Sequence, residues 1–341
     1  MVTWRSLNQS RLFWPIVALA ILLLFNLFFT PNFFHIEIIE GHLFGNLIDI
    51  IKNAAPIMLI AVGLTLVIAT KGIDISVGSV VAISAGVVAM LIGGDLKGVP
   101  KYPILVAMAV ALLVCCAAGM WNGMLVSRIG MQPIIATLIL FVAGRGIAMV
   151  TTNAMVIWLY AKPFALLGQG YVLGLPFSIY IVAFILIITM LFTRRTAVGM
   201  FIEAVGINPT ATRFAGINSK NIIFWCYTFS GLCAGISGLV VCSTVMSADG
   251  NNAGNLFELD AILAVVLGGT SLSGGKFYLM GSMIGALIIQ TLTVTIYAFN
   301  IPPQISQVVK AIVVYAISLL QSQNLRAMVA GAFGRRREIS A

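Results

Sequence analysis

The chain has 341 residues, 60% of them hydrophobic and 9% charged, with a mean hydropathy of +1.08. Globular domains are roughly half apolar and a quarter charged, so this composition excludes a water-soluble protein. The net charge of +9 comes from basic residues scattered between apolar blocks, which make no continuous basic face and exclude nucleic acid as a partner.

In chain order, the first apolar run, Leu12 to Phe29, follows Arg5 and Arg11. It is too long for a secretory signal, and no small-x-small cleavage site follows it. It reads as a retained helix with a cytoplasmic N-terminus. Further runs cover about Ala54 to Thr70, Ser76 to Ile92, Pro103 to Val126, Gln132 to Val150, Pro176 to Phe192, Ile222 to Met246, Leu259 to Leu272, Tyr278 to Ala298 and Pro303 to Leu320. At about 20 apolar residues per crossing, this pattern predicts an all-α polytopic integral membrane protein with about ten transmembrane helices, some broken or short. The whole chain, 1–341, forms one transmembrane domain, with 193–221 as its one sizeable polar segment on the inside.

Charge sets the predicted sidedness. Loops placed inside hold Lys71, Arg128, Arg194, Arg195, Arg213, Lys220 and Lys276, and the tails add Arg5, Arg11, Arg326 and Arg335 to Arg337. The other side holds Lys52, Lys97, Lys101 and Lys162, with the acidic residues Glu37, Glu40, Asp49, Asp95, Asp249, Glu258 and Asp260. This asymmetry puts both termini in the cytoplasm.

Two interruptions stand out, Lys71-Gly72-Ile73-Asp74 and the stretch from Gly268-Gly269 to Gly274-Gly275. Broken helices are tolerated at membrane depth only where protein or a water-filled cavity satisfies the freed backbone, which favours a transport pathway. Gly231 and Gly235 have the small-xxx-small spacing of close helix packing. Cys115, Cys116, Cys226, Cys233 and Cys242 lie in or beside apolar runs without a CxxC pair and read as packing thiols. His35 and His42 share one loop, so a metal site is not expected.

The most distinctive stretch runs from Gly63 through Gly72-Ile73-Asp74-Ile75-Ser76-Val77-Gly78-Ser79. Three others accompany it: Trp121-Asn122-Gly123 through Gln132-Pro133 and Thr137 to Arg145-Gly146; Glu203-Ala-Val-Gly206-Ile-Asn208; and Gly268-Gly269-Thr270-Ser271 to Gly274-Gly275. Together, over about residues 50 to 320, they resemble the membrane permease subunits of bacterial sugar ABC importers of the ribose, arabinose and xylose type. Ile75 stands where that family usually has Leu. The resemblance implies an inner-membrane permease that moves a monosaccharide, galactofuranose in the subgroup it most resembles, by alternating access. It also implies an ATPase subunit that uses ATP and Mg, a periplasmic sugar-binding protein, and a second permease copy or close homologue, all around a chain set in the lipid bilayer.

Asp74 at the break either braces and caps the next helix or contacts substrate. Arg145, in an apolar run, either lines an outer vestibule or pairs with a loop carboxylate. Trp121, Asn122, Thr137, Tyr227 and Ser230 supply the hydrogen-bonding groups and aromatic faces that a sugar pathway needs, and each is also an ordinary packing residue with a satisfied polar tip.

In the segment 193–221, Asn208 suits an N-cap, Pro209 a first helical position and Gly216 a C-terminal cap, which predicts a helix of about two turns. The resemblance makes this the coupling helix that docks on the ATPase, with Glu203, Gly206, Asn208, Arg213 and Gly216 as its motif residues. No P-loop is present: Gly269 to Phe277 has the wrong glycine spacing and Phe277 where Ser or Thr must hold Mg²⁺. The chain is therefore read as a non-catalytic subunit that binds no cofactor. The alternative, an ion-coupled secondary sugar transporter, would carry intramembrane carboxylates, and only the Asp74 break and a membrane-edge Asp260 offer any. A passive structural subunit would not explain the capped helix.

Overall fold

The structure, a computed structural model, describes residues 12–39, 41–93 and 99–321. Arg5, Arg11, Arg326 and Arg335 to Arg337, on which the placement of the termini rests, lie outside the described residues, as do Glu40, Asp95 and Lys97.

Every predicted apolar run contains a helix. In order these are α1 (Phe13–Phe29), α2 (Asn46–Ala69), α3 (Val77–Ile92), α4 (Ile104–Met124, extended by a π-helical turn Leu125–Ile129), α5 (Pro133–Thr151), α7 (Phe177–Arg195), α10 (Ser219–Val245), α11 (Phe257–Leu267), α12 (Leu279–Ala298) and α13 (Pro303–Gln321). Three helices lie in the connections, α6 (Lys162–Gln169), α8 (Val198–Ile207) and α9 (Pro209–Phe214). Six, namely α2, α4, α5, α7, α10 and α12, are long and apolar enough to cross a membrane, and α1, α3, α8 and Ile305–Ile317 within α13 are shorter apolar helices. The chain is an all-α polytopic membrane protein.

α2 is the hub. Its apolar window is 83% buried, against 22% in α4 and α7, so α2 lies inside the bundle while the others turn their apolar surface outward. That matches its sequence, which is apolar all round from Ala54 to Ala69. α10 crosses α4 along the predicted glycine seam: a Cβ on Gly231 would lie 2.6 Å from the Cys115 carbonyl oxygen, and one on Gly235 2.8 Å from Cys115 Cβ. Only residues lacking a Cβ allow that approach. Polar tips inside the bundle find partners: Ser237 donates to the Pro56 carbonyl at 3.0 Å, and Thr65 shares a 2.7 Å bond with Ser282.

The connections sort into two ends. At the hairpin end, β1 (Glu37–Ile39) pairs with β2 (His42–Phe44), β3 (Ile157–Trp158) with β6 (Ser247–Ala248), and β4 (Tyr171–Val172) with β5 (Leu175–Pro176), all antiparallel. The Leu43 amide bonds the Gly174 carbonyl and ties two of these ribbons together. At the other, basic end, Lys71 Nζ donates to the Ile207 carbonyl at 3.0 Å, the Gly275 amide to Ala69, and Arg128 to Asn221 Oδ1.

Two expectations need correcting. The segment 193–221 is not uniformly polar, because it contains the ten-residue α8, whose Ile202, Val205 and Gly206 are buried. Glu258 is not in an outer loop either. The chain after β6 re-enters the bundle, so that Gly254 packs against Gly78 and Val81, and Glu258 lies beside Gly78. Gly78 is 14 residues from the hairpin end of α3, about 21 Å down the helix.

Candidate functional site: a braced helix break and a capped surface helix

α2 stops at Ala69 and α3 starts at Val77, and the seven residues between them fold back through Lys71 at φ +63°. Such a buried return leaves amides and carbonyls that need partners. Asp74, 1% exposed, supplies several. Its Oδ1 accepts from the Ser76 amide at 3.0 Å and the Ser76 hydroxyl at 2.6 Å, and its Oδ2 accepts from the Ser230 hydroxyl at 3.1 Å. Asn122 Nδ2 donates to Ser76 Oγ at 2.8 Å. Thr137 Oγ1 accepts from the Ile75 amide at 3.3 Å. Tyr227 is fully buried, and a Cβ on Gly72 would lie 2.5 Å from its hydroxyl, so glycine is required there.

The fold thus gathers Gly72, Asp74 and Ser76 of the break with Asn122 of α4, Thr137 of α5 and Tyr227 and Ser230 of α10. Ser230 is 11 residues into α10, which puts the cluster about 16 Å from the basic end of that helix. In this conformation these side chains face protein. Trp121, one residue from Asn122, points away and is half exposed.

Gly78 marks a second junction. A Cβ there would collide with the Glu258 carboxylate and reach the Gly254 carbonyl oxygen at 2.7 Å. Glu258 is 3% exposed, and its Oε2 has no hydrogen-bond partner among the described residues. Arg145 does not bond a carboxylate; its Nη1 donates to the carbonyls of Ala253 at 2.6 Å and Asn251 at 3.2 Å, so it pins the re-entrant loop to α5. Periodicity gave no sign of Glu258, because its depth is set by that loop.

At the basic end, the predicted caps are visible as geometry. Asn208 Oδ1 accepts from the amides of Thr210 and Ala211, both at 3.0 Å, with Pro209 at the first helical position. Gly216, at φ +86°, closes α9: its amide bonds the Arg213 carbonyl and the Ile217 amide bonds Thr212, the paired pattern of a left-handed cap. α9 has six residues. Gly206 meets Ala69 and Gly275 with no room for a side chain, which joins α8 to the end of α2 and to the loop after α11. Glu203 is half-buried on α8, and Arg213 is exposed. Phe214 stands 89% exposed and Ile207 65%, apolar projections that the sequence did not single out.

A helical bundle with a braced break, a re-entrant loop and a rigidly capped surface helix defines a membrane transport subunit, and the family comparison agrees. Residues 46–318 match the model of the permease component of the branched-chain amino acid transport system, and the chain belongs to that family of permeases. It is 44% identical over 333 residues to the galactofuranose transporter permease protein YtfT of Escherichia coli, covering 96% of each chain. It is 41% identical to the fructose import permease protein FruF of Bifidobacterium longum, covering 94% of this chain and 90% of the relative. To the ribose import permease protein RbsC of Haemophilus influenzae it is 36% identical, covering 91% and 92%. No solved structure matches the chain.

Proposed function

We propose that this chain is the membrane-spanning permease subunit of an ATP-binding-cassette importer for a monosaccharide, with galactofuranose as the preferred sugar. The observation that carries this reading is the end-to-end similarity to sugar import permeases, 96% of both chains in the case of the galactofuranose relative. The chain itself hydrolyses nothing and binds no cofactor. A separate ATPase subunit uses ATP and Mg, a periplasmic sugar-binding protein delivers the sugar, and a second permease copy or close homologue completes the pathway. The protein sits in the inner membrane with its basic end and both termini in the cytoplasm, as the basic-residue bias favours.

In this reading the whole chain is one permease domain, and 193–221 is its coupling segment. A six-residue helix is too short to be stable in water alone, so its two caps and the α8 platform must hold it. Gly206, packed against Ala69 and Gly275, then links motion of α9 to the ends of α2 and α11. ATP binding moves α9, and the helices that meet at the Asp74 break switch which side the pathway faces. Phe214 is the anchor that enters the ATPase. Thr212 is buried and its hydroxyl bonds Asn208, so contact with a partner falls to Arg213 and Phe214.

Cross-linking tests this. With the ATPase subunit co-expressed, a Phe214→Cys chain should cross-link to it with a short thiol-reactive spacer, and Trp121→Cys should not. Equal cross-linking at both positions, or none at Phe214, would remove the coupling assignment.

A further inference from the structure

Near the hairpin end, α2, α10, α11, α12 and α13 line an open cavity of about 420 Å³. That lies within the roughly 300–1,000 Å³ range of small-molecule sites. Its lining differs from the rest of the bundle. Asn53, Gln290, Thr293, Tyr297, Asp260 and Lys310 all border it, although a polar group at membrane depth is costly unless paired or wet.

Helix arithmetic puts three of these residues at one level. Asn53 is seven residues into α2, Lys310 seven into α13, and Gln290 eight before the end of α12, each about 10–12 Å from the hairpin end. Asp260 and Lys310 form a bidentate pair at 2.9 and 3.1 Å, both largely buried. They cancel each other's charge, so the floor suits a neutral solute better than an ion. Elsewhere in the bundle, polar tips such as Thr65 and Ser237 are used up by packing partners. The amides of Asn53 and Gln290 make no hydrogen bond to any described residue. Each amide offers an acceptor oxygen and two donors, the complement of a hydroxyl that both gives and takes a proton. Tyr297, half exposed, adds an aromatic face for C–H surface. Lys52 borders the mouth, 5.4 Å from the Tyr171 ring centroid.

We infer that this cavity is the outward-facing sugar site of the permease, where a neutral monosaccharide hydrogen-bonds Asn53 and Gln290 above the Asp260–Lys310 pair. This inference rests on the importer reading and gives it a place. It moves the substrate contacts away from the Asp74 cluster, where Asp74, Ser76, Ser230 and Asn122 Nδ2 bond one another.

The test uses the assembled transporter in proteoliposomes with ATP enclosed and the binding protein outside. It measures initial uptake of radiolabelled D-galactose, which in water includes a furanose fraction, and of D-ribose and D-fructose. Gln290→Leu and Asn53→Leu keep the size of the side chain and remove its hydrogen bonds. Each should lower kcat/KM for the best sugar at least tenfold, with the chain present at wild-type level. A second route covers a variant that fails to insert: uptake retained by Asn53→Cys should fall at least tenfold further on treatment with a bulky impermeant thiol reagent, relative to identically treated wild type. Wild-type rates in both Leu variants, or no effect of the reagent on Asn53→Cys, would overturn the cavity assignment while leaving the importer reading intact. If the wild-type complex takes up none of the three sugars, the importer reading fails and this one with it.

Discussion

The break before α3 and the surface helix α9 use the same device in opposite settings. In each, a short Asx side chain accepts backbone N–H bonds where a helix begins: Asp74 takes the Ser76 amide, and Asn208 takes those of Thr210 and Ala211. Asp74 is 1% exposed and also holds the hydroxyls of Ser76, just before α3, and of Ser230 in α10, whereas Asn208 is open to solvent. Water can replace Asn208 as a partner but cannot reach the donors around Asp74. The lesson concerns consequence: the buried brace fixes where helices meet, while the exposed cap only fixes the shape of a surface that something else must read.

The largest stability effect should come from Asp74→Ala. It strands the Ser76 amide and two hydroxyls in a dry site, at on the order of 3 kcal/mol or more. Inserted protein and the unfolding temperature in detergent should both fall. Asp74→Asn keeps an acceptor for Ser76 and can donate to Ser230, so its loss should be nearer 1 kcal/mol. Equal loss of transport in the two variants, with normal protein levels, would show that the charge itself is required and that bracing is not the main role.

Asn208→Ala comes next. It removes an exposed cap worth about 1 kcal/mol, felt only locally because α9 is so short. Insertion and melting should stay near wild type while uptake and sugar-stimulated ATP hydrolysis drop together. A fall in melting temperature as large as that of Asp74→Ala would erase the distinction between the two settings. Smallest in stability is Phe214→Ala, which should change it by less than about 0.5 kcal/mol because the ring is 89% exposed. Its effect on coupled transport should nonetheless match or exceed that of Asn208→Ala. Normal transport would mean that the ring is not the docking anchor.

The contrast also explains what the sequence could disclose. Caps are local chemistry, so Asn208, Pro209 and Gly216 announced α9 within nine residues, and Gly72 with Asp74 announced the break. The ten helices at apolar runs were legible for the same reason. α8 was not, because a ten-residue run interrupted by Glu203 lies below crossing length and sits between polar flanks. Glu258 was missed since its depth depends on a loop that leaves and re-enters the bundle. The cavity near the hairpin end was the least legible feature. Its polar residues come from separate helices, and Lys310 in particular lies in an amphipathic run with nothing nearby in sequence to signal Asp260, fifty residues earlier.

The central claim is that ATP hydrolysed by a partner, and not an ion gradient, drives sugar through this chain. Proteoliposomes can decide it directly. One set would hold the permease with its ATPase and enclosed ATP, with the sugar-binding protein outside, and the other the permease alone with an imposed proton or sodium gradient. The account predicts concentrative monosaccharide uptake in the first set, abolished by omitting ATP, and none in the second. Gradient-driven uptake by the permease alone, with no response to ATP and ATPase, would contradict it.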